Sequence, residues 1–477
     1  MRSISNALPA GIRMLFLWFL ILQCNLSFAR TETAEKSKLI INHIRIDGNK
    51  QTRSKIIFRE LLFHEQDTLP LSDLPFLVQK SRENIFNTHL FNFVTLDTLS
   101  IPGVPGRIDV AIHVIERWYI WPWPFFEIAD RNVSTWLRTM NMSRLTYGID
   151  LTINNVRGCN ETLTFPFHAG FNQKYGFHYL IPFLDRKQTL GLSFGADLER
   201  NHEVIVGSKD NKTVFLKQTD CYSRQNLYSF AELVYRPTIY SRHYFRVFYQ
   251  YYYFSDSILT VPDYGVKNRK EFGFTGIYYK YKNDHRDVQF YPLKGYYFDI
   301  EFLKNGVFHE PVNYCYVKSS IRKYWQVYHR WYFATGITGK VTLTPDPPYF
   351  LQQGLGYGRD FVRGYEYYVI DGRNYVVFKN NLKFAIVPPG IFIMDFLKSR
   401  KFNTVPYALY MNVFLDLGYE YNQSMLANQK NDLQNSILAG YGVGFDFTTY
   451  YDVVIRADLS MNGKGQPGVY LHFIAPI

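Results

Sequence analysis

No stretch of this 477-residue chain after its first thirty or so positions approaches the roughly eighteen uninterrupted apolar residues that a membrane-crossing helix needs. Cysteine is scarce: the sequence has 4, and Cys159, Cys221 and Cys315 stand far apart with no C-x-x-C pair. That spacing excludes a disulfide framework and a zinc site. Charge is thin, at 20% of residues, and H-E-x-x-H does not occur. What the chain has in excess is rings, with Tyr 39 and Phe 40 bringing aromatics to 18%. So many rings cannot all be buried in a soluble core, whereas a lipid-facing surface accommodates them at headgroup level. Mean hydropathy is nonetheless −0.20, as expected where only alternate residues of each strand face lipid. The net charge of +12 could serve nucleic acid. A secreted chain seldom meets it, so anionic headgroups are the expected counterpart and no nucleic-acid partner is expected.

The first 29 residues read as a signal peptide: Arg2 and Arg13 give a positive start, Met14–Cys24 an apolar core, and Ser27-Phe28-Ala29 a small-x-small cleavage site. Cys24 does not signal lipid attachment, because Leu22-Gln23 lacks the small residue that this needs. A linker, 30–37, precedes a small α+β module over 38–120. Leu39–Ile46 alternates as a strand and stops at Asp47-Gly48-Asn49. Thr52 is placed to cap a helix through Leu62, and Ser72 a second through Leu90. Strands Asn92–Ser100 and Arg107–Ile115 follow, giving the order β-α-α-β-β.

From 121 to 477 period-2 alternation recurs in about sixteen segments, an even number as bacterial barrels require. The fold class is therefore mainly β: a transmembrane antiparallel barrel behind one small α+β domain. In Leu409–Gly418, Leu409, Met411, Val413, Leu415 and Leu417 share one face, while Asn412, Asp416 and Gly418 share the other. In Val453–Asn462, Arg456, Asp458, Ser460 and Asn462 oppose Val453, Ile455, Ala457 and Leu459. In Tyr296–Phe302, Asp299 and Glu301 oppose Phe298, Ile300 and Phe302. Such polar rows belong in a wet lumen. Short links at Asp185-Arg186-Lys187 and Thr448–Tyr451 read as periplasmic turns. Longer ones near Arg200–Asp220, Ser255–Lys270 and Thr342–Asn374 read as extracellular loops, which leaves both barrel ends facing the periplasm.

Three stretches stand out: Asn283–Asp287 leading into Tyr291-Pro292-Leu293-Lys294-Gly295; Gly354–Gly358 followed by Val362-Arg363-Gly364-Tyr365; and Phe414–Gly418 followed by Gly440, Gly442 and Gly444. In this order they resemble the BamA/TamA family of outer-membrane assembly barrels. Upstream, Ile46-Asp47-Gly48-Asn49 with Thr52, then Leu90-Phe91-Asn92-Phe93-Val94 and Val114-Ile115-Glu116-Arg117, resemble a periplasmic POTRA domain. The resemblance implies that the long loop folds into the lumen and that Arg363 of the V-R-G-Y tip pairs with the wall aspartate Asp416. The motif positions it marks are Val362, Arg363, Gly364, Tyr365, Asp416, Asp287, Tyr291, Pro292 and Gly295, with Gly48, Asn49, Phe91 and Glu116 in the soluble module. The chain departs from the family in having one POTRA module and in ending Phe473-Ile474-Ala475-Pro476-Ile477, with no aromatic at the last position.

Enzyme signals are weak. Gly191-Leu192-Ser193-Phe194-Gly195 matches G-x-S-x-G, but within an alternating run with no helix after it. Gly354–Gly358 resembles a phosphate loop only in glycine content. The expectation is a cofactor-free insertase or translocase of the outer membrane, with its POTRA domain in the periplasm. Its partners would be outer-membrane lipids, unfolded client proteins and periplasmic accessory proteins. Clients would add as strands to the POTRA edge or to a seam between the first strand, near Pro124–Ile128, and the last, Gly468–Phe473. A dedicated secretion pore for one partner protein, or a passive barrel, are the alternatives.

Overall fold

The computed structural model describes residues 38–128, 145–266, 269–308, 310–422, 431–449 and 451–473. The expected signal peptide, the linker and Ile474–Ile477 lie outside the described residues.

The N-terminal region has strands β1 (Lys38–Asp47), β2 (Thr68–Pro70), β3 (Phe91–Ser100) and β4 (Arg107–Glu116), and helices α1 (Ser54–Phe58) and α2 (Leu74–Phe86). Its sheet runs β2-β1-β4-β3, with β1 parallel to β4 and the outer pairs antiparallel. Alternation in β4 turns Val110 and Ile112 under the two helices, and a register shift in β1 between Ile41 and Ile44 brings both of these to the same side, where Ile56, Ile57 and Ile85 complete a core with Phe63, Leu90 and Phe91. Each such side chain stabilises by roughly 1.5–3 kcal/mol on burial.

Both helices are shorter than the periodicity predicts. Thr52 caps no helix, because its hydroxyl is engaged by Tyr119 Oη at 3.1 Å and by Asn155 Nδ2 at 2.9 Å. α1 ends at Phe58, and beyond it Ser81 Oγ accepts from Leu62 N at 3.0 Å and Asn84 Nδ2 donates to Glu60 O at 3.1 Å. α2 starts after Asp73, with proline in its first turn, and stops where His89 takes a φ of 61°. The three-residue β2 is too short to leave a periodic signal.

Sixteen strands form one antiparallel sheet. In chain order they are β5 (Ile120–Ile128), β6 (Leu145–Val156), β7 (Glu161–Gly170), β8 (Gln173–Ile181), β9 (Leu190–Asn201), β12 (Arg224–Tyr235), β13 (Ser241–Phe254), β14 (Glu271–Asp284), β15 (Gly295–Asn305), β16 (Tyr314–Tyr328), β17 (Trp331–Thr342), β18 (Asn374–Ile393), β19 (Thr404–Tyr421), β20 (Ile437–Thr448), β21 (Val454–Asn462) and β22 (Pro467–His472). Each pairs with its neighbours in that order; among the described residues the sheet is not closed, since β5 pairs only with β6 and β22 only with β21. The intervening β10 (Glu203–Lys209) and β11 (Lys212–Lys217) form a separate hairpin where the expectation is one extracellular loop.

The period-2 faces hold. Val413, Leu415 and Leu417 are exposed on the outer face of β19, whereas Asn412 and Asp416 are fully buried on the other. On β21, Leu459 lies outside and Arg456, Asp458, Ser460 and Asn462 inside. The G-x-S-x-G stretch lies in the middle of β9, with no helix after it.

The N-terminal region packs on the connections at one end of the barrel. Glu60 receives both Nη atoms of Arg236, at 2.7 and 2.8 Å. Asp452 receives Arg117 on both oxygens, at 2.7 and 2.8 Å, and His89 Nδ1 lies 2.7 Å away. Burial alone would raise the Asp452 carboxyl, but hydrogen bonds from His89 and Arg117 outweigh it and hold the group well below the usual carboxylate range. Burial, reinforced by nearby Arg236, pushes Arg59 down to about 10; Arg59 Nε donates to Gln188 O at 2.9 Å.

Candidate functional site: a loop anchored on the lumen wall

The connection from β17 to β18, residues 343–373, folds into the lumen. Its tip turns at Val362–Tyr365, where Tyr365 N donates to Val362 O at 3.1 Å and Gly364 takes a φ of 88° that favours glycine. This turn carries Arg363 onto the wall of β18 and β19. Arg363 Nε donates to Asp416 Oδ2 at 2.7 Å and Nη2 to Oδ1 at 2.6 Å, a two-pronged grip. Nη1 donates to Asn381 Oδ1 at 2.8 Å, and the guanidinium lies 3.9 Å above the centre of the Phe414 ring. Arg363 is 1% exposed and Asp416 0%, so losing either would leave an uncompensated charge away from bulk water, at a cost of about 3–5 kcal/mol.

The neighbouring motif residues seat the tip. Val362 packs where Gly418 has no side chain, and Arg363 O sits where a Cβ on Gly440 would stand, 1.7 Å from it. Two glycines in the wall are therefore required by close approach. Asn462 Nδ2 donates to Gly364 O at 3.1 Å, and Tyr365 Oη accepts from Gly463 N at 3.1 Å, so β21 and its following turn hold the far side. Upstream, Leu355 N donates to Glu420 Oε2 at 2.7 Å and Lys318 pairs with Asp360 at 2.5 Å. The outer part of the loop is bound over the top by the β10–β11 hairpin: Asp371 accepts from Ser208, and Val369 N donates to Asn211 O at 2.9 Å.

A second cluster meets this one from the opposite end. The turn 285–294 sends Tyr291 into the lumen, where its hydroxyl donates to Asp446 Oδ2 at 2.7 Å. Asp446 is also held by Arg456 Nε at 2.6 Å, Arg456 Nη2 at 2.9 Å and Asn412 Nδ2 at 3.1 Å. Lys383 lies 4.2 Å from the centre of the Tyr291 ring. Pro292 is buried beside Tyr291. Asp287 and Gly295 serve the turn itself. Asp287 Oδ1 accepts from Val288 N at 2.8 Å and Leu293 N at 3.1 Å, and burial raises its carboxyl above the usual range despite those bonds. Gly295 has a φ of 101°, and a Cβ there would meet His285 O.

The four marked residues of the N-terminal region lie outside the lumen. Gly48, at φ 93°, passes so close to Val114 O that a side chain has no room. Asn49 Nδ2 donates to Thr52 O at 3.0 Å, Glu116 Oε1 accepts from Gln51 N and Thr52 N at 2.9 and 2.7 Å, and Phe91 is in the core. Together these order the segment that presents Thr52 to Asn155. Sequence reasoning missed Asp446 and the pairing of Arg456. Both sit on inward positions of adjacent strands with opposite charge, a signal available once register is known.

No group of His, Cys, Asp or Glu among the described residues is arranged to hold a metal ion. None of the described helices is long and apolar enough to cross a membrane.

No protein-family model matches the chain. The outer membrane protein assembly factor BamA of Neisseria meningitidis is 31% identical over 80 residues, which is 17% of this chain and 10% of that protein. The match thus spans a small part of that relative. Among solved structures, BamA from Haemophilus ducreyi lacking POTRA domains 1–3 matches with a TM-score of 0.51 at 14% identity, covering 91% of this chain and 83% of that one. CdiB from Escherichia coli matches with a TM-score of 0.50 at 12% identity, covering 92% and 74%.

Proposed function

We infer that this chain, whose fold is that of the BamA-like outer-membrane barrels, is an insertase or translocase that helps other proteins into or across the outer membrane. One observation carries the reading: the lumen is occupied by an anchored loop while the sheet keeps unpaired edges. Arg363 on Asp416 holds the loop across the interior, and the β10–β11 hairpin binds over it. Such filling argues against an unobstructed channel. In contrast, β5 and β22 each leave one side unpaired among the described residues, and so does the ten-residue β3 of the N-terminal region. Free edges of this kind receive an extended client by strand addition. The N-terminal region, read as a POTRA domain over 38–120, would sit in the periplasm beneath the barrel over 121–477, where clients arrive.

Depletion of the protein in its host tests this. Broad loss of outer-membrane proteins is the expected result. Loss of one secreted product alone would mark a dedicated secretion pore, and an unchanged outer membrane would mark a passive barrel.

A further inference from the structure

The longest strands of the barrel do not stop where their neighbours stop. The β17–β18 ladder ends at Trp331↔Phe384, and the β19–β20 ladder at Ala408↔Thr448. β18 and β19 keep pairing with each other down to Ile393↔Thr404. Residues 390–393 and 404–407 thus form a two-stranded ribbon beyond the sheet, and the connection that caps it holds a single helical turn, Arg400–Asn403. Register shifts between Ala385 and Gly390, across Pro388-Pro389, bend β18 as it leaves the wall.

An isolated two-stranded ribbon is marginal in water, and this one is apolar on both sides. Pairing puts Phe392 on the side of Val405, and Ile391 and Ile393 on the other. All three, with Phe396 in the connection, show more than half of their surface, more than Val413 and Leu415 on the outer face of the barrel. The extra residues of both register shifts lie on β18, so β19 alternates without a break. Leu409, Tyr407 and Val405 therefore prolong the outward row of Val413 and Met411 onto the ribbon.

The surroundings say what that row meets. At the same end Trp325, Tyr328 and Trp331 stand exposed in the β16–β17 hairpin, and the Trp331 ring centre is 4.8 Å from that of Phe384. Tryptophan and tyrosine at such a level mark the headgroup boundary, and the ribbon begins there. The connection 394–403 has the cations Lys398, Arg400 and Lys401 against a single acid, Asp395. Lys398 and Arg330 are exposed, and neither has an ion-pair partner among the described residues. The inner side of the connection is already occupied by the N-terminal region and the β20–β21 turn. Lys401 O accepts from Asn92 Nδ2 at 2.9 Å and from Tyr451 Oη at 3.1 Å, and the Phe402 ring lies 6.0 Å from that of Trp118.

We propose that the ribbon and its connection are a foot on the lipid leaflet at the end of the barrel where the N-terminal region packs. Phe392 and Phe396 enter the acyl boundary, while Lys398 and Arg330 hold the phosphates of anionic phospholipids. The free edges of the ribbon limit its depth, because hydrocarbon would strand their N–H and C=O groups. Immersion by about 5–10 Å, the reach of interfacial elements, leaves those edges wet. Since the inner side of the connection holds the N-terminal region, the foot sets how that region stands against the bilayer. The inference needs only a barrel that spans a membrane, and it is separate from the insertase reading.

Lipid-borne quenching tests it on the full chain, with its cysteines replaced by serine, in phosphatidylethanolamine vesicles holding a minor share of phosphatidylglycerol. A fluorophore is attached at Phe396→Cys, or at Phe392→Cys as a second reporter, and bromine is carried on the acyl chains of one lipid or the other. Quenching at both sites should match that at the outward Val413→Cys and be absent at Lys187→Cys, an exposed position in another connection at the same end. Brominated phosphatidylglycerol should quench beyond its share, and this excess should fall by up to about fivefold for each charge removed in Lys398→Gln and Arg330→Gln. Quenching at 392 and 396 no greater than at 187 overturns the foot and would leave a protein partner or a second copy of the chain as its cover. Quenching without the phosphatidylglycerol excess, or an excess untouched by the two substitutions, overturns the headgroup assignment.

Discussion

Two stretches of the barrel wall differ in kind. Strands β18 and β19 run for 20 and 18 residues, about twice what a tilted strand needs to cross the hydrocarbon. With β20 and β21 they supply Asp416, which holds Arg363 of the loop, and the pair Arg456–Asp446, both contacts almost without exposure. Across the sheet, β5 and β8 have 9 residues each, barely a crossing. The polar pairs on that side are looser: His168–Asp150 at 2.9 Å with Asp150 37% exposed, and His178–Asp197 at 2.8 Å with His178 35% exposed. One wall is a long, tightly paired platform for the luminal loop. The other, next to the first edge, has shorter strands and more exposed ion pairs. Rigidity and pliancy are thus separated by position around the sheet.

The sharpest way to break this contrast is at the platform. Arg363→Ala and Asp416→Ala should each cost about 3–5 kcal/mol, as expected for orphaning a buried partner, and lower the temperature at which the barrel unfolds on a gel. The double variant should be no worse than the poorer single one, because both remove the same contact. Exchanging the charges, Arg363→Asp with Asp416→Arg, should recover part of the loss. Additive losses without recovery would mean that the pair does not act as a unit.

The docking of the N-terminal region comes next in size. Arg117→Ala removes both bonds to Asp452 and should make that region more sensitive to protease while the barrel stays folded. Its pH dependence has a definite sign. A carboxyl held below its unfolded value contributes stability that is fully present above about pH 4 and is lost as pH falls toward the depressed folded value. The Asp452 contribution should therefore be constant from pH 5 to 8, with protection from protease falling only below about pH 4. An earlier loss in the parent, absent from Asp452→Asn, would contradict the assignment.

The smallest effect belongs to the pliant wall. Asp150→Asn, which removes the charge of the more exposed partner of His168, should shift stability by less than about 1 kcal/mol, the scale of a partly exposed pair. A loss matching that of Asp416→Ala would erase the distinction between the walls.

What was legible in the sequence follows from what is local. Alternation is a property of neighbouring residues, so the inward position of Asp416 and the polar row of β21 could be read directly, as could a barrel of about sixteen strands. The partnership of Arg363 with Asp416 came from family resemblance and not from spacing, since the two are 53 positions apart. Thr52 misled because its side chain serves Tyr119 and Asn155, a contact across 103 positions that no local pattern reveals. The β10–β11 hairpin did carry a local signal, Val204-Ile205-Val206 and Val214-Phe215-Leu216 on either side of Asp210-Asn211, which a reading of the stretch as one loop passed over. Asp446 escaped because register, which places it opposite Arg456, is set only when the strands meet.

The order of residues around the luminal tip also has a temporal meaning. Arg363 is made before Asp416, Gly440 and Asn462, the residues that hold its charge, its carbonyl and its turn. A chain emerging from its amino end therefore carries a cation with no counterpart until β19 has formed, and no cradle until β20 and β21 are in place. Seating of the loop is therefore complete only once β19, β20 and β21 stand side by side.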